Sequence, residues 1–247
     1  MPREPITNTG RPAAYWAVIP AAGIGARMGA ERPKQYFALL GKTVLEHSVQ
    51  RLQTHTRISG VVVAVAEHDS YGNKLLHELP THGKPLISVS GGAQRCHSVL
   101  NALQRLAELA APEDWVLVHD AVRPCLRHAD IDRLINALTD HPGGGLLGTR
   151  VNDTLQRVNA AGEVVETVDR AALWHAQTPQ MFRLGALRQA LDNAMARGVT
   201  VTDEATAMSL TGTMPLMVEG HADNIKITHM PDLALAEFYL KQQEIDS

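Results

Sequence analysis

Five short runs of apolar, largely β-branched residues recur along this chain, at residues 15–19, 60–66, 86–89, 115–119 and 145–149, each separated from the next by a segment with helical spacing. Strands that alternate with helices predict a mainly parallel sheet covered by helices, a Rossmann-like α/β architecture. The clearest helix is expected over residues 93–110, where Val99, Leu103, Leu106 and Ala110 repeat at three- and four-residue steps and Pro112 blocks continuation. Others are expected near residues 44–54, 130–139, 184–197 and 233–243, the last opened by Pro231 and Asp232. At 247 residues the chain can bury one substantial core, and residues 15–247 read as a single domain behind a flexible tail at 1–14, which is rich in Pro, Thr, Asn and Gly.

In open sheets of this kind ligands bind beyond the carboxyl ends of the strands, so the residues just after each run are where chemistry is expected. After the first comes PAAGIGARM, residues 20–28, followed by Pro33, Lys34 and Gln35; after the third comes Ser90, Gly91, Gly92, Ala93, Gln94, Arg95; after the fourth comes HDAVRP, residues 119–124. All three segments should open on one edge. Small side chains at Ala21, Ala22, Gly23 and Gly25 let backbone N–H groups approach an anion, and Arg27 and Lys34 add fixed positive charge. The loop therefore points to an anionic substrate, a triphosphate being the first inference. Two familiar glycine motifs are excluded: the dinucleotide fingerprint needs a third glycine where Met28 stands, and a P-loop ending at Gly41, Lys42, Thr43 would put its first glycine on Tyr36.

A formal charge of −3 leaves no global basic footprint, which disfavours nucleic acid and requires the anion-binding charge to be local. Only Cys96 and Cys125 occur, without CxxC spacing or a secretory segment, so a reducing cytoplasm is expected; no apolar run approaches a bilayer's thickness, so no membrane association is expected. Histidines are frequent, but no HExxH or paired spacing appears, and His47, His55, His68 and His141 read as surface or helix-end residues.

Joining a nucleoside triphosphate to an acceptor phosphate brings two polyanions together, so cations matter more than a base; the acceptor phosphate is already ionised. Arg27 suits the task as a fork and Lys34 as a compact charge. Asp120 could hold Mg²⁺ or a hydroxyl with Arg123 facing an anion, or the two could form a structural salt bridge. Arg95 and Ser98 follow the Gly91–Gly92 turn at a helix start, a place for an anion or a base edge. In ADNIKIT, residues 222–228, Lys226 lies between Ile225 and Ile227 in a strand-like run; if those face the core, Lys226 faces an opening or solvent. Thr202 and Asp203 read as a helix cap before Glu204. Residues 152–168 alternate about a turn at 159–162 and read as a hairpin that packs either on a partner subunit or on its own domain.

Taken in order, PAAGIGARM with PKQY, GG with Arg95 and Ser98, HDAVRP, Asp153 with Thr154, VDR at 168–170, WHAQTPQ at 174–180, TDEA at 202–205 and ADNIK resemble the 2-C-methyl-D-erythritol 4-phosphate cytidylyltransferases of the non-mevalonate isoprenoid pathway, from about Trp16 to Tyr239. The resemblance implies a nucleotidyltransferase fold and Mg²⁺-dependent transfer of CMP from CTP to methylerythritol phosphate. It implies that Arg27 and Lys34 stabilise the transition state and that Arg170 and Lys226 position the acceptor. Ala21, Ala22, Gly23, Gly92 and Ser98 would line the cytidine pocket, and Asp120, Arg123, Thr154 and Thr178 would surround the acceptor. Asp120 and Asp223 become the candidate metal ligands. The resemblance also implies a homodimer whose arm, at about 150–170, reaches its neighbour, so that Thr154 and Arg170 would serve the other subunit's site. Val122 stands where the family's HDAARP has alanine. A cytidylyltransferase for another polyol phosphate, such as ribitol 5-phosphate, and a CTP-binding regulatory module are the competing readings.

Overall fold

The computed structural model describes residues 11–23 and 32–245. Eleven strands occur among them: β1 (Tyr15–Pro20), β2 (Ala38–Leu39), β3 (Lys42–Thr43), β4 (Ile58–Val65), β5 (Leu86–Ser90), β6 (Trp115–Val118), β7 (Gly145–Arg150), β8 (Leu155–Val158), β9 (Val164–Val168), β10 (Trp174–Arg183) and β11 (Leu216–Glu219). The helices are α1 (Val44–Gln53), α2 (Ser70–Glu78), α3 (Arg95–Leu106), α4 (His128–Leu138), α5 (Leu184–Ala196), α6 (Glu204–Ser209) and α7 (Pro231–Ile245), with a 3₁₀ turn at Lys34–Tyr36. Thr43 begins α1 with a capping box: its hydroxyl accepts from the Glu46 N–H while the Glu46 carboxylate accepts from the Thr43 N–H.

Seven strands form the main sheet in the order β11-β7-β10-β6-β1-β4-β5. β1 runs parallel to β4 and β6, β4 to β5, and β7 to β11, while β10 is antiparallel to both its neighbours. The chain builds outward from β1 to β4 and β5, then returns to place β6 on the other side of β1. That reversal is a topological switch point, where the loops leaving β1 and β6 part and open a crevice.

Alternate residues of β1 divide the core. Tyr15, Ala17 and Ile19 pack with Leu45, Leu52, Leu117, Ile131 and Leu134 on the α1 and α4 side. Trp16 and Val18 pack with Val99, Leu103, Val116, Phe182 and Leu187 on the α3 and α5 side. A smaller cluster of Leu39, Val44, Val122, Ile227, Ala236 and Leu240 docks α7 and the segment before it beside the crevice.

All five expected strands and all five named helices are present, with ends moved by a few residues. β10 and β11 were not expected. Pro179 argues against a central strand, and the ladder accommodates it by breaking register with β7 between Ala176 and Gln180: Trp174–Ala176 and then Gln180 and Met181 pair with β7, while Gln180–Arg183 pair with β6 on the other side. Residues 222–228 form no strand: Ala222 and Asp223 lie in a turn, with the Asn224 N–H on the His221 carbonyl at 3.3 Å, and the rest is irregular. Residues 11–14, assigned to the loose tail, are docked: Asp114 takes the Arg11 guanidinium at 2.5 Å and the Ala14 N–H at 2.9 Å, and Ala13 is buried. His55, assigned to the surface or a helix end, is buried just beyond α1.

β8 and β9 form the expected hairpin as a separate antiparallel pair. Gly162 takes a φ of +84°, and Asn159 Oδ1 accepts the Ala161 and Glu163 N–H groups, both at 3.0 Å, which shapes the turn. Val158, Val164 and Val165 stand 52%, 65% and 62% exposed, so the arm presents apolar surface to its surroundings.

Phe182 of β10 is fully buried among residues of β6, α3 and α5, and its truncation would leave a cavity in that layer. Phe182→Ala is expected to cost about 3–5 kcal/mol of stability, read from the shift in urea midpoint.

Candidate active site

A pocket of about 600 Å³ opens at the carboxyl ends of β1, β5 and β6. Its lining is Pro20 to Gly23, Lys34, Gln35, Gly92 to Arg95, Ser98, Asp120 to Val122, and Lys226. The three segments expected to share an edge therefore meet in one cavity, and Lys226 joins them from the segment before α7.

One wall is made of backbone and small side chains. The Ala21 N–H extends the β1–β4 ladder by bonding the Ala64 carbonyl at 2.7 Å, and the Gly91 N–H does the same from β5 to the Val65 carbonyl at 2.6 Å. The two loops then touch: a Cβ on Gly91 would lie 2.3 Å from the Ala22 Cβ and 2.9 Å from Ser98 Oγ, so only glycine lets them close. Ser98 is buried, not on the helix surface; its Oγ accepts the Gly92 N–H at 3.1 Å and tightens the turn that opens α3.

The opposite wall carries charge. Asp120 sits 3.3 Å from Arg95 Nε, 2.8 Å from Lys226 Nζ and 3.5 Å from Arg123 Nε. Burial alone would raise this carboxyl, but Arg95, Lys226 and Arg123 together hold it well below the usual carboxylate range. Arg95 is in turn gripped on its fork by Glu204, at 2.7 and 3.0 Å, and although burial works against its charge, Glu204 and Asp120 keep it firmly protonated. Lys34 reaches the same place by another route, donating to the Ile227 carbonyl at 3.1 Å, one residue from Lys226.

The other expected site residues are placed differently. The Arg123 guanidinium points inward, to the carbonyls of Asn224 at 2.7 Å and Ala176 at 3.4 Å, so the structural ion pair with Asp120 is the arrangement adopted. Thr178 is buried behind Asp120, and its hydroxyl accepts the Asp120 N–H at 3.0 Å. Asp223 is not brought to the pocket: its Oδ2 is held by Arg127 at 2.6 Å and by Gln243 at 2.9 Å. Thr154 and Arg170 are exposed at the base of the arm, where Arg170 bonds the Asn152 carbonyl. Arg27 lies outside the described residues.

Sequence reasoning assigned no role to Glu204, Gln35 or His119. Glu204 belongs to TDEA, yet its partner lies 109 residues away and no local pattern announces it. Asp203 does cap α6, accepting the Thr206 N–H at 2.9 Å. His119 is fully buried; its Nε2 meets the Arg123 carbonyl at 3.0 Å and its Nδ1 the Thr178 hydroxyl at 3.0 Å. Burial lowers its pKa to about 4, with the Arg123 carbonyl offsetting part of that effect.

A switch-point crevice with one wall of close-packed glycine turns and another of lysines and arginine arranged about a carboxylate is the site of a nucleotidyltransferase in the Rossmann-like α/β class. Comparison narrows the class further. Residues 15–242 match the family described as 2-C-methyl-D-erythritol 4-phosphate cytidylyltransferase, and the chain belongs to that family. It is 51% identical to the protein of that name from Vibrio vulnificus strain YJ016 over 92% of this chain and 95% of that one. It is 52% identical to the one from Aeromonas hydrophila, over 92% and 90%. The crystal structure of the Francisella tularensis 2-C-methyl-D-erythritol 4-phosphate cytidylyltransferase superposes with a TM-score of 0.77 at 35% identity, covering 92% of this chain and 100% of that one.

Burial also lowers the pKa values of His47, His55 and His128. An unfolded histidine binds its proton near pH 6.5 and native His119 only near 4, so between those values the unfolded chain carries more protons and is favoured. Stability is expected to be complete above pH 6.5 and to fall as pH drops toward 4, His119 contributing on the order of 3 kcal/mol of the loss. Urea midpoints measured across this range check the direction.

Proposed function

We propose that this protein transfers CMP from CTP to 2-C-methyl-D-erythritol 4-phosphate, forming 4-diphosphocytidyl-2-C-methyl-D-erythritol and pyrophosphate. The observation that carries the reading is the meeting of Lys34, Arg95 and Lys226 around the Asp120 carboxylate, opposite a glycine wall, in a chain of this family.

The backbone and small side chains of Ala21, Ala22, Gly23, Gly92 and Ser98 take the cytidine, leaving the triphosphate toward the cations. An acceptor phosphate oxygen attacks the α-phosphorus in line, the bond to the bridging oxygen breaks, and pyrophosphate leaves. No side chain has to remove a proton. Lys34, with Arg27, offsets charge that builds on the attacked phosphoryl group. Lys226 exchanges its contact with Asp120 for one with phosphate oxygens, and Asp120 is then available to an acceptor hydroxyl. Arg123 and Thr178 act on the acceptor by holding Asp120 in place.

Mg²⁺ is the expected cofactor; when bound it draws charge from the phosphate oxygens and helps pyrophosphate depart. Among the described residues Asp120 is the carboxylate that lines the pocket and would face the ion, whereas Asp223 lies outside the lining, its Oδ2 held by Arg127 and Gln243. Among the described residues no group of three or more His, Cys, Asp and Glu is arranged to hold a metal, in keeping with an ion carried chiefly by CTP oxygens and water.

The protein acts as a homodimer in this reading, supported by the exposed valines of the arm and by a lining of its own pocket that includes neither Thr154 nor Arg170. Two unpaired, buried cysteines support a cytoplasmic setting, and no helix among the described residues is long and apolar enough to cross a membrane.

The direct assay is Mg²⁺-dependent pyrophosphate release from CTP, with methylerythritol phosphate and ribitol 5-phosphate offered separately. Release with methylerythritol phosphate is expected, and Lys34→Ala is expected to lower kcat by about 10²–10³-fold while leaving the fold intact. Preference for ribitol 5-phosphate would reassign the acceptor, and CTP binding without turnover would leave a regulatory module. If the arm completes the partner's site, mixed Arg27→Ala and Arg170→Ala chains are expected to recover activity in heterodimers. Confirmed subunit exchange without recovery would place each site within one chain.

A further inference from the structure

Gln35 follows Lys34 in the 3₁₀ turn and is buried to 4% exposure, although it carries a primary amide. Its Nε2 donates both hydrogens to backbone carbonyls of the loop that leaves β1, to Ala21 at 2.8 Å and to Gly23 at 3.0 Å. Both of those residues line the pocket, as do Lys34 and Gln35 themselves.

A trans peptide sets its carbonyl and its N–H on opposite sides of one plane. A side chain that holds the Ala21 carbonyl therefore also aims the Ala22 N–H, which takes no hydrogen-bond partner among the described residues. The Gly23 carbonyl is fixed by the same nitrogen, at a residue whose lack of a Cβ leaves its backbone otherwise unconstrained. The alternative, carbonyls turned into the pocket, would present negative dipoles to a polyanion. One amide thus clamps the peptide planes of the nucleotide wall, and it does so from the residue adjoining Lys34, so wall and cation are held in register.

We infer that Gln35 is a positioning residue for the nucleotide: its amide holds the Ala21 and Gly23 carbonyls away from the substrate and keeps the Ala22 N–H turned toward it. This rests on the CTP reading above and adds to it a side chain that touches the loop, not the reacting atoms. A carboxylate of the same size cannot donate and would repel both carbonyls; an apolar isostere would leave them unpaired.

The test compares wild type, Gln35→Glu and Gln35→Met by CTP titration calorimetry and by steady-state kinetics with each substrate varied. Weakened CTP binding, by about tenfold or more, with little change in the acceptor's KM, is the expected result. A purely structural role would lower the active fraction and leave the CTP KM of the remainder unchanged, and that pattern in the folded variants overturns the inference. Wild-type CTP binding with equal affinity in both variants defeats it while the function stands; wild type that fails to bind CTP defeats both. The Gln35 side-chain amide in the wild-type protein supplies a check that needs no variant: slow hydrogen exchange in the ligand-free enzyme is expected, and exchange at the rate of a solvent-exposed amide overturns the clamp.

Discussion

Everything in this site depends on assembling cations before any substrate arrives. Two like charges about 4 Å apart in a partly buried setting repel by roughly 4 kcal/mol, and the pocket gathers Lys34, Arg95 and Lys226 with Arg123 close behind. Asp120 makes that possible. Its two oxygens touch three of the four cations, and its buried charge is stabilised by them in return. The arrangement is reciprocal, which is why Asp120 stays ionised where burial alone would neutralise it.

A carboxylate holding such a cluster must itself be held. Thr178 accepts its N–H, Arg123 ties it to the carbonyls of Asn224 and Ala176, and Arg95 links it to Glu204 at the start of α6. These supports come from β10, from the segment before α7 and from α6, parts of the chain that converge only because β10 inserts antiparallel beside β6. The antiparallel strand is therefore part of the site's construction.

This explains what the sequence disclosed and what it did not. Strand runs and helix faces were legible because hydrophobic period is local, and Lys226 was legible because Ile225 and Ile227 on either side pack into one cluster and leave it exposed, even in a segment without a ladder. Ala21, Gly92 and Asp120 were found because ligands gather at strand ends in such sheets. β10 was hidden by Pro179, whose penalty in a central strand is avoided here by a register break. Glu204 and the docking of residues 11–14 onto Asp114 depend on pairings about a hundred residues apart, and one residue type at one position carries no trace of its distant partner. The doubtful status of Arg123 was resolved by geometry alone: the fork that could have faced an anion is spent on two carbonyls.

The same geometry bears on the arm. A two-stranded hairpin gains too little from its own ladder to be stable in water, and this one turns Val158, Val164 and Val165 outward. Its turn is nonetheless well specified by Asn159 and Gly162, and Arg170 closes its base on the Asn152 carbonyl. The defined shape and the uncovered valines are what the proposed dimer accounts for. In the proposed dimer the covering surface is the neighbour, and the arrangement would bring Arg170 to a pocket whose own chain supplies cations for the nucleotide side while its acceptor side rests on Asp120 and Lys226. Acceptor recognition would then be shared between subunits, and nucleotide binding would remain within one.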